Sequence, residues 1–68
     1  MLRIGQAVRF APLYKQSAWQ PLQTEIGHIF YINEKTQMFV IEYKAGDVTL
    51  KEAFKFCQIG KDVQVYGD

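Results

Sequence analysis

Two runs of β-branched and aromatic residues, separated by four polar residues, constrain the fold of this chain more than any other feature. The runs cover residues 24–32 and 37–44, and the connecting residues 33–36 read NEKT. Val, Ile, Phe and Tyr favour strands, and a short polar connection between two such runs is typical of a hairpin. The sequence therefore predicts a central antiparallel hairpin.

Three further segments have the character of short strands. Apolar and polar side chains alternate in residues 7–11, 48–54 and 62–66, as expected for strands with one buried face. Residues 13–23 show no clean period, which indicates a long loop after the first strand. Residues 56–60 have the spacing of one helical turn and end at a glycine, so we expect a 3₁₀ turn before the last strand.

The predicted elements resemble a known fold family at the central hairpin. Residues 27–32 (GHIFYI) followed by residues 39–43 (FVIEY) are similar to the central hairpin of KOW- and Tudor-type barrels. The resemblance implies an all-β, five-stranded SH3-like barrel with a long first loop and a 3₁₀ turn before the last strand. Residues 54–61 (FKFCQIGK) also resemble short proteins of unassigned function encoded by bacteriophages and mobile elements.

The length of 68 residues is enough for one domain, residues 1–68, with a small core. Cys57 is the single cysteine and His28 the single histidine, so neither an internal disulfide nor a thiolate or histidine zinc site is expected. We expect no cofactor. A lone free cysteine suggests a reducing, cytoplasmic location, and without a long apolar run we expect no membrane partner.

No catalytic constellation is visible, so we expect a binding protein and not an enzyme. The five glycines are scattered singly, which argues against a phosphate-binding loop. Cys57 lies among apolar residues and is expected to be a small buried hydrophobe. Glu52 follows Val48 and Leu50 on the predicted inward face, and we expect a bend in the strand to turn it outward.

The central hairpin carries apolar residues on both of its faces, whichever register it adopts. Side chains of a strand alternate between faces, so one wet face should be polar. Two interpretations remain open: residues 13–23 cover the second face, or that face is an interface.

The high content of aromatic residues favours protein binding as the function. Aromatic residues make up 15% of the chain, more than a small core easily holds. We expect Tyr14, Trp19, Tyr31 and Met38 to contact a partner, because Trp and Tyr are enriched at interface hot spots. The partner is either another protein or a second copy of the chain. The phage resemblance implies an accessory protein that binds and modulates a host protein.

Nucleic-acid binding is the alternative, through Arg9, Lys51, Lys55 and Lys61. These basic residues could lie beside aromatic stacking platforms. The net charge is only +1, however, and acidic residues interleave with the basic ones along the sequence. Phosphate binding needs local positive potential, so the sequence alone favours an ordinary solvated surface.

Overall fold

A computed structural model of the chain describes residues 2–12 and 24–66. These residues form an all-β domain of five antiparallel strands with a 3₁₀ turn before the last, as the sequence predicts. The strands are β1 (Ala7–Phe10), β2 (Glu25–Asn33), β3 (Met38–Ala45), β4 (Val48–Lys55) and β5 (Val63–Val65), and the 3₁₀ turn is Phe56–Gln58. Each predicted strand is present, with ends that differ by no more than one residue.

The sheet has the strand order β4-β3-β2-β1-β5. Strands β1 to β4 follow one another as antiparallel neighbours, and β5 returns to pair with β1. Within the described residues β4 and β5 form opposite edges, so the sheet is not closed into a barrel. This differs from the predicted barrel, because closure requires hydrogen bonds between the two edge strands, and β4 and β5 form no ladder in the described part of the chain.

The open sheet is nevertheless strongly curled. Phe10 on β1 and Phe54 on β4 are three strand spacings apart, about 14 Å in a flat sheet. Their ring centroids lie 5.6 Å apart, in an edge-to-face arrangement. Phe10 also contacts Tyr43 on β3, with ring centroids 4.8 Å apart. The curl brings the concave side of the sheet together around a small aromatic core.

A β-bulge in β2 decides which residues face this core. Ile29 pairs with Ile41 and Tyr31 pairs with Val40, so Phe30 is the extra residue in the ladder. Ile29 is buried on the concave side, whereas Phe30 and Tyr31 are both exposed. A bulge also bends its strand and increases the local twist.

The concave side of the sheet, here called the inner face, holds the core. Its fully buried members come from β1, β2, β3 and β5 and are Val8, Phe10, Ile29, Phe39, Ile41 and Val63. Tyr43 and Phe54 are nearly as buried. Gly27 lies in the same layer. A Cβ at Gly27 would lie 2.7 Å from Ile41 Cγ2 and 2.8 Å from the carbonyl oxygen of Glu42. Glycine therefore permits the close approach of β2 and β3 at this position.

The central hairpin turns within residues 34–37, one residue beyond the predicted connection. The Asn33 side-chain oxygen accepts hydrogen bonds from the backbone N–H groups of Lys35 and Thr36, at 3.0 and 3.3 Å. Asparagine commonly stabilises turns in this way. Gln37 has a φ of 56°, in the left-handed region, so β3 begins only at Met38.

Candidate binding face

The convex side of the sheet, here called the outer face, carries exposed aromatic and basic side chains. Strand register and alternation place its members on all five strands and on the residue after β5. They are Ala7 and Arg9; Ile26, His28, Phe30, Tyr31 and Asn33; Met38, Val40, Glu42 and Lys44; Thr49, Lys51, Ala53 and Lys55; Gln64 and Tyr66. This face is the second apolar face that the hairpin sequence indicates.

Four large apolar side chains of the outer face are about half exposed. The exposed fractions are 49% for Ile26, 50% for Phe30, 52% for Tyr31 and 43% for Tyr66. Phe30 and Tyr31 are consecutive in sequence yet lie on the same side of the sheet, because of the bulge. The outer face thus offers three accessible rings, two of them on adjacent residues.

The outer face is more positively charged than the chain as a whole, whose formal net charge is +1. Four basic residues lie there (Arg9, Lys44, Lys51 and Lys55), against one acidic residue among those the structure describes, Glu42. The other described acidic residues lie elsewhere. Glu34, Asp47 and Asp62 are in turns, and Glu25 and Glu52 alternate toward the inner face.

Strand alternation explains this separation of charge. In β4 the neighbours Lys51 and Glu52 point to opposite faces, although they are adjacent in sequence. Basic and acidic residues that interleave along the chain are therefore sorted by the sheet. Basic and acidic residues therefore do not interleave on this face as they do along the sequence.

Two of the basic groups lie against aromatic rings. Lys51 Nζ is 4.6 Å from the ring centroid of Phe30, and Arg9 Cζ is 5.9 Å from that of Tyr66. Lys51 Nζ is also 3.9 Å from Glu42 Oε2, with both side chains well exposed. An ion pair of this kind is worth about 0–1 kcal/mol, so it leaves Lys51 free to exchange partners at low cost.

A shallow groove crosses one end of the outer face. Its volume is about 310 Å³, and its lining residues are Ile26, His28, Glu42, Tyr43, Lys44 and Thr49. His28 is exposed in this groove, not enclosed in the core. The groove thus adds a polar ring to the mixed aromatic and basic surface.

The structure brings most of the residues singled out from the sequence onto this one face. Tyr31 and Met38 are diagonal neighbours, since Tyr31 pairs with Val40 and Met38 pairs with Asn33. Arg9, Lys51 and Lys55 also lie on the outer face, whereas Lys61 lies in the turn before β5. Tyr14 and Trp19, the other predicted contacts, lie outside the described residues.

Sequence reasoning did not single out Phe30 as a contact residue. In a regular strand Phe30 and Ile32 would share a face, and Tyr31 would lie on the other. The bulge separates Phe30 from Ile32 instead, because Ile32 pairs with the buried Phe39. No local sequence signal marks the bulge, since neither bulge residue is a glycine.

Two side chains outside the outer face differ from their predicted positions. Glu52 stays in the regular ladder opposite Ile41 and faces inward, where its carboxylate accepts a 2.5 Å hydrogen bond from the Tyr43 hydroxyl. That bond provides a polar partner for a half-buried carboxylate, so no outward bend is needed. Cys57 is exposed and not buried, because the 3₁₀ turn directs it away from the core.

Comparisons with known proteins do not narrow the function. No protein-family profile, no curated protein and no solved structure matches the chain. The described residues contain no cluster of three or more His, Cys, Asp or Glu side chains that could hold a metal ion. In the same part of the chain, no helix has the length and apolar character needed to cross a membrane.

Proposed function

We propose that this protein is a non-catalytic binding module and that its outer face binds nucleic acid. The observation that carries the proposal is the combination of four basic residues, one acidic residue and three exposed rings on a single sheet face. Lysine and arginine neutralise phosphates, and aromatic rings stack on bases. The sequence alone favours protein binding over nucleic-acid binding, because basic and acidic residues interleave along the chain. We propose the reverse order, because strand alternation keeps most of the acidic residues off the outer face.

We also propose an SH3-like arrangement for the fold, in an open form. Three features support it: four consecutive antiparallel strands, a 3₁₀ turn before the fifth, and pairing of the fifth strand with the first. The curl that brings Phe10 and Phe54 together adds to this support. Among the described residues, such an arrangement leaves the outer face as a broad accessible surface.

The test compares two pairs of lysines with equal charge and different placement. In the first variant Lys51→Gln and Lys55→Gln remove two charges from the outer face. In the control Lys35→Gln and Lys61→Gln remove two charges from turns. Binding to a fluorescein-labelled nucleic acid of mixed sequence is followed by anisotropy between about 50 and 200 mM salt, a range over which phosphate contacts weaken strongly.

We expect the outer-face variant to lose most of its affinity and to show a shallower salt dependence, by about 0.7 per removed contact for a single strand. The turn variant should stay close to the unmodified protein. Equal losses in both variants would mean that binding follows net charge and not the outer face. Failure of the unmodified protein to bind at 50 mM salt would contradict the proposed function.

Binding of a protein is the second candidate, and a different observation favours it. Tyr31, Met38, Val40 and Phe30 form a continuous apolar strip across β2 and β3, and aromatic residues and Met are enriched in protein interfaces. The partner would be a second copy or a host protein bound by a phage or mobile-element accessory protein. Sedimentation over a wide concentration range tests self-association, which Met38→Lys should abolish without unfolding the domain.

A further inference from the structure

We infer that the outer face binds single-stranded nucleic acid, with two successive bases stacked on Phe30 and Tyr31. The inference rests on the proposed function and specifies its ligand. Its basis is the bulge in β2, which turns two adjacent residues to the same side of the sheet. In a regular strand two consecutive rings would lie on opposite faces.

The exposed rings of Phe30 and Tyr31 are accessible to unpaired bases. Bases in a duplex are stacked on one another, so their faces are covered, whereas unpaired bases can stack on aromatic side chains. Phe30 and Tyr31 are each about half exposed, and their Cα atoms are about 3.8 Å apart as neighbours in the chain. Two adjacent platforms of this kind match successive unpaired bases.

Cationic groups lie beside two of the exposed rings of the outer face. The Lys51 ammonium lies by the ring of Phe30, and the Arg9 guanidinium lies by the ring of Tyr66. A single strand presents a base and a phosphate with each nucleotide, so a surface that places cations beside two of its three exposed rings complements it. Lys44 and Lys55, on β3 and β4, extend the positive surface to either side.

The experiment compares labelled 12-nucleotide single strands of DNA and of RNA with the 12-base-pair DNA duplex of the same sequence, at one salt concentration. Phe30→Leu and Tyr31→Leu remove one ring each and keep an apolar side chain, so that the bulge is retained. Val48→Ala is the control, since Val48 is equally exposed but lies at the start of β4 on the other side of the sheet. Circular dichroism checks the fold of each variant.

We expect the unmodified protein to bind the single strands at least tenfold more tightly than the duplex. Each ring variant should lose about five- to hundredfold in single-strand affinity, the range measured for loss of one stacked base, whereas duplex binding and the Val48→Ala control should not change. Tyr31→Phe should restore the affinity, because it retains the ring.

Two results would overturn the inference and leave the proposed function standing: equal affinity for duplex and single strand, or ring variants that bind the single strand within twofold of the unmodified protein. Absence of binding to every nucleic acid would overturn the proposed function itself. A difference between the DNA and RNA strands would identify the sugar that the face prefers.

Discussion

The inner and outer faces of the sheet are made by the same strands, yet they are under different physical constraints. On the inner face Val8, Phe39, Ile41 and Val63 have no exposed surface, and a glycine is needed where β2 meets β3. On the outer face Phe30 and Tyr31 keep half of their surface in water. Apolar and aromatic side chains therefore have different roles on the two faces. Those on the inner face stabilise the fold, and those on the outer face are accessible for contact.

Phe39→Ala should have the largest effect, because it removes a fully buried ring from the inner face. Phe39 packs against Phe54 and Phe56, with ring centroids 6.0 and 6.1 Å away. Loss of a buried Phe costs about 3–5 kcal/mol, comparable with the total stability of a small domain. Urea denaturation followed by circular dichroism should find the variant largely unfolded.

Tyr31→Ala on the outer face should shift the free energy of unfolding by less than about 1 kcal/mol. Equal losses for the two variants would contradict the distinction between the faces.

Gly27→Ala should have the next largest effect, although it adds a single methyl group. The new Cβ would meet Ile41 Cγ2 and backbone of β3 at distances that require β2 and β3 to move apart. Overpacking of this kind costs about 1–3 kcal/mol. Ala53→Val, on the exposed side of β4, adds two methyl groups and should change stability by no more than about 0.5 kcal/mol. A Gly27→Ala variant as stable as the unmodified protein would show that the two strands have room to separate.

Tyr43→Phe tests the polar contact at the margin of the inner face. It removes the hydroxyl that donates to the half-buried carboxylate of Glu52. A hydrogen bond to a charged group contributes about 1.5–3 kcal/mol, so we expect a loss near the lower end of that range, since Glu52 retains some access to water. Lys51→Gln breaks the exposed pair with Glu42 on the outer face and should cost less than about 1 kcal/mol. Thermal or urea denaturation of both variants compares a half-buried contact with an exposed one, and a larger loss for Lys51→Gln would contradict the expected order.

Glu42→Gln should have the smallest effect on stability and a clear effect on binding. Glu42 is the acidic residue of the outer face and lies 3.9 Å from Lys51. Its neutralisation releases the lysine and raises the local positive potential, so affinity for nucleic acid should rise a few-fold at low salt and less at high salt. The free energy of unfolding should change by less than about 1 kcal/mol. Glu34→Gln, in the hairpin turn, is the control and should leave affinity unchanged. Lower affinity in Glu42→Gln would indicate that the carboxylate itself contacts the ligand.

The sequence predicts the elements of this fold well because local signals specify them. Alternating apolar residues mark β1, β4 and β5, and runs of β-branched and aromatic residues mark β2 and β3. Asn33 marks the hairpin turn, and the spacing of residues 56–60 marks the 3₁₀ turn. The candidate site is predicted only in part. Residue type is enough to select Tyr31, Met38, Lys51 and Lys55 as candidates. Strand register decides whether they lie on the same face of the sheet.

Phe30 and Glu52 show why the rest cannot be read from the sequence. The exposure of Phe30 depends on a bulge, and a bulge of one residue reverses the face of every side chain after it. The inward position of Glu52 is stable because Tyr43, nine residues away, donates a hydrogen bond to it. Both outcomes depend on partners that the strand pairing supplies.

By itself the sequence determined that this chain forms antiparallel strands, where they turn, and that more apolar surface exists than one face can bury. Strand propensity, turn chemistry and composition are local properties, so they can be read along the chain. Only the tertiary structure decided that the sheet curls without closing, that the bulge exposes Phe30 beside Tyr31, and that four basic residues share the outer face with a single described acidic residue. These features arise from pairing between distant residues, because the register of each strand, and not its composition, determines which side chains meet.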